Sequence, residues 1–317
     1  MNKLKFDVVV PLTLVDVPTF KENYYYILKY LPCKRIVILG NTNIKREVSN
    51  LESVVFVNED ELYPDLSFDK VRKIKKVLSG SERRTGWYFQ QFLKMAYSYI
   101  CAEDYYLIWD ADTIPIKKID LFSNTGIPFL DYRQYEKSDE CYNETQNSLL
   151  ADEALKKSVQ KSFITEHMLI NVEIMKNLIN DLASSGTADK KTFWINILYT
   201  IPQKQINLSG FSEFECYAAY VLKYYPQKYC LRLWKNLRNA RTYVGSDKTK
   251  CSLSWFRSLF DVVSYEDFDS QWFLCKLLCV IDPKHRIPFT YIYRLINPLY
   301  RKYLKARLFI RKVLINK

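Results

Sequence analysis

Along the first part of the chain, continuous runs of hydrophobic residues alternate with a segment in which hydrophobic residues recur at helical spacing. Continuous apolar, β-branched runs predict buried parallel strands over Phe6–Val10, Arg35–Leu39 and Val54–Val57. Between the first two runs, apolar residues at intervals of three and four predict a helix over Thr19–Tyr30, which Pro32 stops. This alternation predicts an α/β sheet with right-handed crossovers.

A second amphipathic helix and a strand lead to a pair of carboxylates. Apolar spacing predicts the helix over Trp87–Ile100, and Tyr105–Trp109 is predicted as a buried strand that ends in Asp110-Ala111-Asp112. In an extended chain residues i and i+2 face the same side. Asp110 and Asp112 can therefore offer oxygens to a hard cation such as Mg²⁺ or Mn²⁺.

A second Asp-x-Asp motif occurs at Asp267-Phe268-Asp269, and a motif this short arises by chance. No hydrophobic strand is predicted before it, whereas α/β sheets bind ligands at the carboxyl ends of their strands. We therefore predict a metal site at Asp110 and Asp112 and not at the second motif.

The middle of the chain adds further candidates. Residues 131–159 are polar and weakly periodic, which predicts a long excursion or lid, and the apolar order returns in FITEHMLIN. Gly210 and Ser212 precede a predicted helix with Glu213 and Glu215 in its first turn. The helix dipole favours carboxylates there, so capping alone can also account for them.

The charge distribution bears on partners. The 317 residues carry a formal charge of +12, and residues 284–317 hold ten Lys or Arg and no acid. Nucleic-acid-binding domains usually spread their basic face over the body, so this pattern favours an anionic membrane surface and no nucleic acid. A helix is predicted after Pro298, with Arg301, Lys305 and Lys312 on one side; packing of this helix on the body is the alternative.

Other sequence features set the expected compartment. The eight cysteines form no Cys-x-x-Cys pair and are expected to be reduced thiols. The amino-terminal segment shows no signal-peptide cleavage site, and the run Trp272–Ile281 is about half the roughly 20 residues that a spanning helix needs. The expected location is cytoplasmic, peripheral on the inner face of the cytoplasmic membrane.

The two histidines, His167 and His285, exclude a His-rich metal centre, and His285 is expected at the surface.

The order of these elements, with GWYFQQFLKMAYSYI, WDADTIP, FITEHMLIN and GFSEFECYAAYV, resembles bacterial GT-A-type glycosyltransferases of surface-polysaccharide (capsule and lipopolysaccharide) clusters. The resemblance spans residues 6–225. It implies a GT-A-like α/β fold, with a mostly parallel sheet flanked by helices. It also implies a catalytic domain over residues 1–247, and residues 248–317 are expected to form a helical basic region. The implied activity moves a hexose-type sugar from a nucleoside diphosphate sugar, foremost a UDP-sugar, to a hydroxyl of a cell-surface glycan or lipid-linked acceptor.

The resemblance also implies roles for individual residues. Asp110 and Asp112 would hold Mn²⁺ or Mg²⁺ and the donor diphosphate, with Asp112 foremost as the direct metal ligand and Asp110 placed to reach ribose or sugar hydroxyls. Glu213 would be the catalytic base. Further acid–base candidates are Glu215 and His167, with Glu166 beside it. The residues expected beside the nucleotide are Pro11, Arg84, Gly86, Trp87, Gln91 and Lys94.

Plainer interpretations stay open for several of these residues. Trp87 falls on the apolar stripe of its helix, Gln91 and Lys94 are of types common on helix surfaces, and His167 can be a hydrogen-bonded core residue.

Two other functions are compatible with the sequence. One is a metal-dependent nuclease or nucleotidyltransferase, which also uses paired carboxylates, and the other is a non-enzymatic membrane-associated scaffold.

Overall fold

The computed structural model describes residues 6–150, 155–185, 192–266 and 269–315, with side chains up to Ala306. The chain forms two compact units: the first comprises Met1–Ala111 and Asp120–Trp234, and the second comprises Asp112–Ile119 and Lys235–Lys317. The domain boundary predicted between residues 247 and 248 thus falls inside the second unit. Asp267 and Phe268 of the second Asp-x-Asp motif lie outside the described residues. The expectation that no hydrophobic strand precedes this motif is wrong, because a buried strand at Val262–Ser264 ends three residues before Asp267.

Strands and helices are numbered in chain order. The strands are β1 (Phe6–Pro11), β2 (Cys33–Gly40), β3 (Val54–Asn58), β4 (Tyr105–Trp109), β5 (Thr113–Pro115), β6 (Phe129–Gln134), β7 (Lys161–Ser162), β8 (His167–Asn171), β9 (Cys230–Leu233), β10 (Asn236–Leu237) and β11 (Val262–Ser264). The helices are α1 (Val17–Tyr30), α2 (Thr42–Val48), α3 (Phe68–Ser79), α4 (Thr85–Ala96), α5 (Asn143–Ser148), α6 (Val172–Ser184), α7 (Phe193–Thr200), α8 (Glu213–Tyr224), α9 (Ala240–Val244), α10 (Lys250–Phe256), α11 (Phe273–Ile281) and α12 (Phe289–Ile315).

The central sheet of the first unit has the order β3-β2-β1-β4-β8. Its first four strands are parallel and β8 runs antiparallel to β4. The expected fold class, a mostly parallel sheet flanked by helices, is confirmed, and β4 has the predicted bounds. The prediction succeeds because strands covered on both faces must be apolar at nearly every position.

A fully buried carboxylate is built into this apolar sheet. Asp7 of β1 is fully buried, and the guanidinium of Arg35 donates to its carboxylate through Nε and Nη2 at 2.9 and 3.0 Å. The hydroxyl of Tyr97 donates to Asp7 at 2.6 Å. A buried carboxylate is stable only when it is paired in this way, so the three residues tie together β1, β2 and the turn that follows α4.

The prediction of a long excursion or lid over residues 131–159 is wrong for the first residues of this segment. They belong to β6, which pairs parallel with β9 and antiparallel with β7 in a small three-stranded sheet. Asp131 lies buried there because Arg232 donates to both of its carboxylate oxygens, at 2.6 and 2.8 Å. A local pattern does not reveal a partner 101 residues away in the chain.

The second unit contains a three-stranded sheet, β10-β11-β5, and the helices α9 to α12. The carboxyl-terminal helix begins at Phe289, before the predicted start, and passes through Pro298. Its inner side buries Phe289, Ile292 and Ile296, and this apolar burial outweighs the roughly 3 kcal/mol that an internal proline costs. No helix in the described part of the chain is long and apolar enough to cross a membrane.

The surface position expected for His285 is wrong. Its ring stacks on that of Trp255 with the centroids 4.4 Å apart, and its Nε2 lies 3.0 Å from Ser252 Oγ. These contacts hold His285 against α10 and leave it half-buried.

Substitution by alanine is expected to affect stability differently at two glycines of the first unit. A Cβ on Gly210 would collide with Ile201 Cγ2 and lie 3.1 Å from Gln205 Cβ, whereas a Cβ on Gly86 meets nothing within 4 Å. We expect Gly210→Ala to lower the free energy of unfolding by about 1–3 kcal/mol, and Gly86→Ala, within helix α4, to leave it unchanged or raise it by up to about 1 kcal/mol. Urea denaturation of both variants tests this difference, and equal stabilities would contradict the packing at Gly210.

Candidate functional site

A cavity of about 440 Å³ opens at the carboxyl ends of the first two parallel strands. Pro11 and Leu39 line it from the strand ends, and Gly86, Trp87 and Gln90 line it from the start of α4. This volume falls in the range of small-molecule pockets, about 300–1,000 Å³. The structure thus brings together Pro11, Gly86 and Trp87, three of the residues expected beside a nucleotide.

The cavity also contains an acidic residue that the sequence analysis did not single out. Glu59 follows β3 directly and lines the cavity with Asn41 and Asn43. Burial, with a smaller contribution from the charge of Asp60, raises the pKa of Glu59 to about 7. Its carboxyl group can therefore both donate and accept hydrogen bonds near neutral pH. The available signal was its place at the end of a parallel strand, where α/β sheets bind ligands.

The raised pKa of Glu59 has a consequence for stability. Its folded-state pKa of about 7 exceeds the ordinary value of 4.5. The protonated side chain thus stabilises the fold below pH 4.5, and this contribution is lost as the pH rises through about 7. We expect the wild type to lose more thermal stability than Glu59→Gln between pH 5 and pH 8. Melting temperatures at both pH values measure this, with the exposed Glu52→Gln as control; parallel changes in wild type and Glu59→Gln would refute it.

The second part of the site is a buried cluster of one cation and two carboxylates. Lys94 Nζ, on the inner face of α4, lies 2.9 Å from Asp110 Oδ1 and 3.0 Å from Glu213 Oε1. The side chains of Lys94 and Glu213 are each 5% exposed, whereas that of Asp110, just after β4, is 35% exposed. Three elements far apart in the sequence thus meet at one ammonium group.

Neighbouring contacts fix the backbone around this cluster. The Glu213 N–H donates to Gln91 Oε1 at 3.1 Å, and Gln91 Nε2 donates to the carbonyl of Trp87 at 3.1 Å. The Asp110 N–H donates to the carbonyl of Glu166 at 3.0 Å. The predicted residues Gln91, Lys94, Asp110 and Glu213 therefore belong to one connected arrangement.

Burial and charge act on the two buried members of the cluster in different ways. Burial alone would lower the pKa of Lys94, but the carboxylates of Asp110 and Glu213 outweigh it, so the pKa lies above its ordinary value. For Glu213, burial raises the pKa and the charge of Lys94 offsets only part of the rise. Lys94 therefore stays charged, and Glu213 binds a proton more readily than an exposed glutamate does.

The loop that carries Asp110 has a further support that the sequence analysis missed. Asn23 of α1 is buried and donates through Nδ2 to the carbonyl of Ala111 at 2.9 Å. An asparagine inside an amphipathic helix gives no sequence signal for such a contact, because its partner lies 88 residues away.

The other acid–base candidates lie in separate contacts. Glu215 pairs with Lys157 and accepts hydrogen bonds from Ser162 Oγ at 3.1 Å and from the Phe163 N–H at 2.9 Å. These contacts anchor the segment before β8 to α8. The catalytic role predicted for Glu215 stays a prediction.

His167 lies in the core of the first unit and is 1% exposed. Its Nε2 is 3.0 Å from Asp131 Oδ2, its Nδ1 is 2.9 Å from the carbonyl oxygen of Thr165, and its ring packs on Trp234 at 4.3 Å. This is the hydrogen-bonded core environment considered as the alternative for a lone histidine. Its predicted catalytic role is likewise untested.

Arg84 occupies the residue before α4 and has a left-handed backbone with φ 70°. Its guanidinium lies 5.8 Å from the centre of the Trp87 ring, and its side chain is exposed. It stands next to the cavity-lining residues Gly86 and Trp87 in sequence and can offer charge to an anion.

The metal role predicted for Asp110 and Asp112 rests on their spacing and donor chemistry. Asp112 is the first residue of the segment 112–119 of the second unit, and its carbonyl accepts from the Tyr265 N–H at 3.1 Å. Within the described ranges, no group of three or more His, Cys, Asp or Glu residues could hold a metal ion. Mg²⁺ is commonly held by one or two carboxylates together with substrate phosphates, so the chemistry of two aspartates fits such an ion.

The fold and the site define an α/β protein with a ligand-sized cavity and an acid–base cluster at the ends of its parallel strands. The chain belongs to a family of unknown function, DUF6492, whose model matches residues 38–303. No curated protein matches the chain.

Three solved structures are similar to the chain in fold. A WbbM bifunctional glycosyltransferase is 11% identical, with a TM-score of 0.40 over 84% of this chain and 47% of that one. Mouse xyloside xylosyltransferase 1 is 12% identical, with a TM-score of 0.41 over 83% of this chain and 98% of that one. The glycosyltransferase GlyE of Streptococcus pneumoniae TIGR4 is 12% identical, with a TM-score of 0.41 over 95% and 64%. The chain thus spans less than two thirds of the WbbM and GlyE chains.

Proposed function

We propose that the protein is a metal-dependent glycosyltransferase. It transfers a sugar from a nucleoside diphosphate sugar, foremost a UDP-sugar, to a hydroxyl of a cell-surface glycan or lipid-linked acceptor. One observation carries this proposal: α4 lines a cavity of about 440 Å³ with its first turns and holds Asp110 and Glu213 through Lys94 near its end. A single helix therefore connects a nucleoside-sized cavity to the carboxylates that the chemistry requires.

The cavity is the proposed donor site. The base and ribose lie between the loop after Pro11 and the ring of Trp87, and Glu59 and Asn41 offer hydrogen-bonding groups to them. The exposed guanidinium of Arg84 contributes positive charge for the diphosphate.

Asp110 and Asp112 are the proposed ligands of Mn²⁺ or Mg²⁺, together with phosphate oxygens of the donor. When bound, the ion supplies positive charge that stabilises the departing diphosphate. Lys94 Nζ forms a salt bridge with Oδ1 of Asp110, which fixes the orientation of that carboxylate. Since Asp110 keeps about a third of its side chain exposed (35%), it can still reach a ligand.

Glu213 is the proposed base. In the reaction the acceptor oxygen forms a bond to the anomeric carbon, the bond from that carbon to the diphosphate breaks, and the hydroxyl proton passes to the Glu213 carboxylate. Burial raises the pKa of Glu213, which makes it a better proton acceptor, while Lys94 holds it in place. Glu215 and His167 are the other proposed acid–base residues, and their contacts with Phe163 and Asp131 fix their side chains.

The location proposed for this activity is cytoplasmic and peripheral, at the inner face of the cytoplasmic membrane. The basic carboxyl-terminal segment, with ten Lys or Arg and no acid over residues 284–317, supports an anionic membrane surface as the partner. Nucleic acid is not a proposed partner.

A thermal-shift panel of UDP-, GDP-, CMP- and dTDP-sugars, with and without Mn²⁺, tests the proposal. A ligand at 100 times its Kd stabilises the native state by about 2.7 kcal/mol, so one nucleotide is expected to raise the melting temperature in the presence of metal. The shift should be lost in Asp110→Asn and kept in Asp69→Asn, an exposed aspartate on α3. No shift across the panel would contradict the proposal and favour a scaffold; a metal-dependent shift with nucleic acid instead would favour a nuclease or nucleotidyltransferase.

A further inference from the structure

The second unit exposes an apolar helix face. Phe273, Leu277, Val280 and Ile281 of α11 are 67%, 56%, 73% and 69% exposed, while Cys275 on the opposite side is buried. These four residues lie at intervals of three and four, so they form one stripe along the helix. A helix that only covers a core presents the reverse pattern, with its polar side outward.

The neighbouring helix extends this stripe. Tyr291, Leu295 and Leu299 of α12 are exposed at intervals of four. The ring of Trp272, at the start of α11, lies 5.6 Å from that of Tyr300, and only seven residues join the two helices. The two helices therefore form an antiparallel hairpin.

Both helices of the hairpin contact the same residue of α9. Gln271 and Cys279 donate to the carbonyl of Tyr243 in α9, and the Tyr243 ring contacts Phe289 of α12 at 5.1 Å. The exposed apolar residues of the two helices are here called the hairpin face: Phe273, Leu277, Val280, Ile281, Tyr291, Leu295 and Leu299.

Positive charge surrounds the hairpin face. Exposed Lys276, Lys284, Arg286, Arg294 and Lys305 lie along the two helices and their connection, and Asp282 is the only acid between residues 273 and 306. Long basic side chains can bury their stems in an apolar layer while their charges reach anionic headgroups. A second copy of the chain would bring the same positive charges and repel them. Charge complementarity thus favours an anionic lipid surface as the occupant.

We propose that the hairpin face is a membrane-binding surface that inserts its apolar residues into the interfacial layer of an anionic bilayer. The helices lie on the bilayer, and the basic side chains contact lipid phosphates. This assigns the contact to α11 and the first half of α12, not only to the basic run after Pro298. The inference rests on the peripheral location proposed above and not on the transfer reaction.

Vesicle co-sedimentation of the full chain tests this surface. The wild type should sediment with vesicles of phosphatidylcholine and 30% phosphatidylglycerol, and much less with phosphatidylcholine alone. Val280→Glu should weaken this binding about tenfold, because it removes an inserted side chain and adds a charge of the same sign as the lipid. Val77→Glu is the matched control, since Val77 on α3 is similarly exposed (82%) and should leave binding unchanged. Arg294→Gln should weaken binding about fivefold.

Three results would overturn the inference. The wild type could fail to sediment with anionic vesicles, or Val280→Glu could bind them as well as the wild type does. The protein could also form a dimer without lipid that Val280→Glu converts to a monomer. The last result would assign the face to a second copy. Equal melting temperatures of all variants confirm that folding is unchanged. The nucleotide-sugar shift of Val280→Glu should match that of the wild type, so a failure of membrane binding is distinguished from a failure of the proposed activity.

Discussion

Replacing Lys94 by methionine is expected to lower the free energy of unfolding by about 3 kcal/mol. The substitution keeps the volume and the apolar stem but removes the charge that lies 2.9 Å from Asp110 and 3.0 Å from Glu213. Asp110 is partly exposed and can be solvated by water, whereas Glu213 is buried and would remain without a cation. The loss therefore comes mainly from Glu213.

The pH dependence of the Lys94→Met variant follows from the same argument. Burial already raises the pKa of Glu213, and removal of Lys94 raises it further, because the cation is what offsets the burial. A carboxyl group with a raised folded-state pKa stabilises the fold at low pH, and this stabilisation is lost as the pH rises through that pKa. The variant should therefore be closest to the wild type near pH 5 and furthest from it near pH 8.

Urea denaturation at both pH values measures this effect. The double variant Lys94→Met/Glu213→Gln should recover part of the loss, because the buried charge is removed together with its partner. Lys76→Met is the control: Lys76 is exposed and pairs with Glu82 at the surface, so it should change stability by less than about 1 kcal/mol. If Lys94→Met were as mild as Lys76→Met, the buried cluster would not exist in solution.

The parts of the fold that could be predicted are those determined by local patterns. The strand Tyr105–Trp109 is apolar at each position and ends in charged residues, and Ser212 caps the Glu215 N–H at the start of α8. Both features depend on residues close in the chain. The strand β6 could not be predicted in this way, because Asp131 is stabilised by Arg232 from a distant strand.

The candidate site shows the same limit. Asp110 was evident from its position after a strand, whereas the sequence around Lys94 is that of an ordinary helix. Its role as the bridge between Asp110 and Glu213 exists only once α4, β4 and α8 are assembled. Glu215 and His167 were evident as acid–base side chains, whereas their contacts with Lys157 and Asp131 could not be predicted from the sequence.

The prediction with the largest effect on turnover concerns Asp110. With the donor that raises the melting temperature, Asp110→Asn should reduce the rate of nucleoside diphosphate release by at least about 100-fold, since it removes the negative charge of a proposed metal ligand and keeps its shape. Lys94 retains Glu213 as a partner, and Asp110 is 35% exposed. The fold should therefore lose much less stability than in Lys94→Met, and lost turnover can be separated from unfolding.

Asp112→Asn distinguishes a metal pair from a role of Asp110 through Lys94 alone. If both aspartates hold the ion, Asp112→Asn should lose turnover to a similar extent, and raising the Mn²⁺ concentration should restore part of the rate in either variant, because metal occupancy is what each has lost. Asp69→Asn should retain the wild-type rate. A fully active Asp112→Asn beside an inactive Asp110→Asn would contradict the metal pair, and Asp110 would then act with Lys94 and Glu213 on the substrate. Wild-type rates in both variants would contradict the site itself, because no other described element brings a partly exposed carboxylate to Lys94.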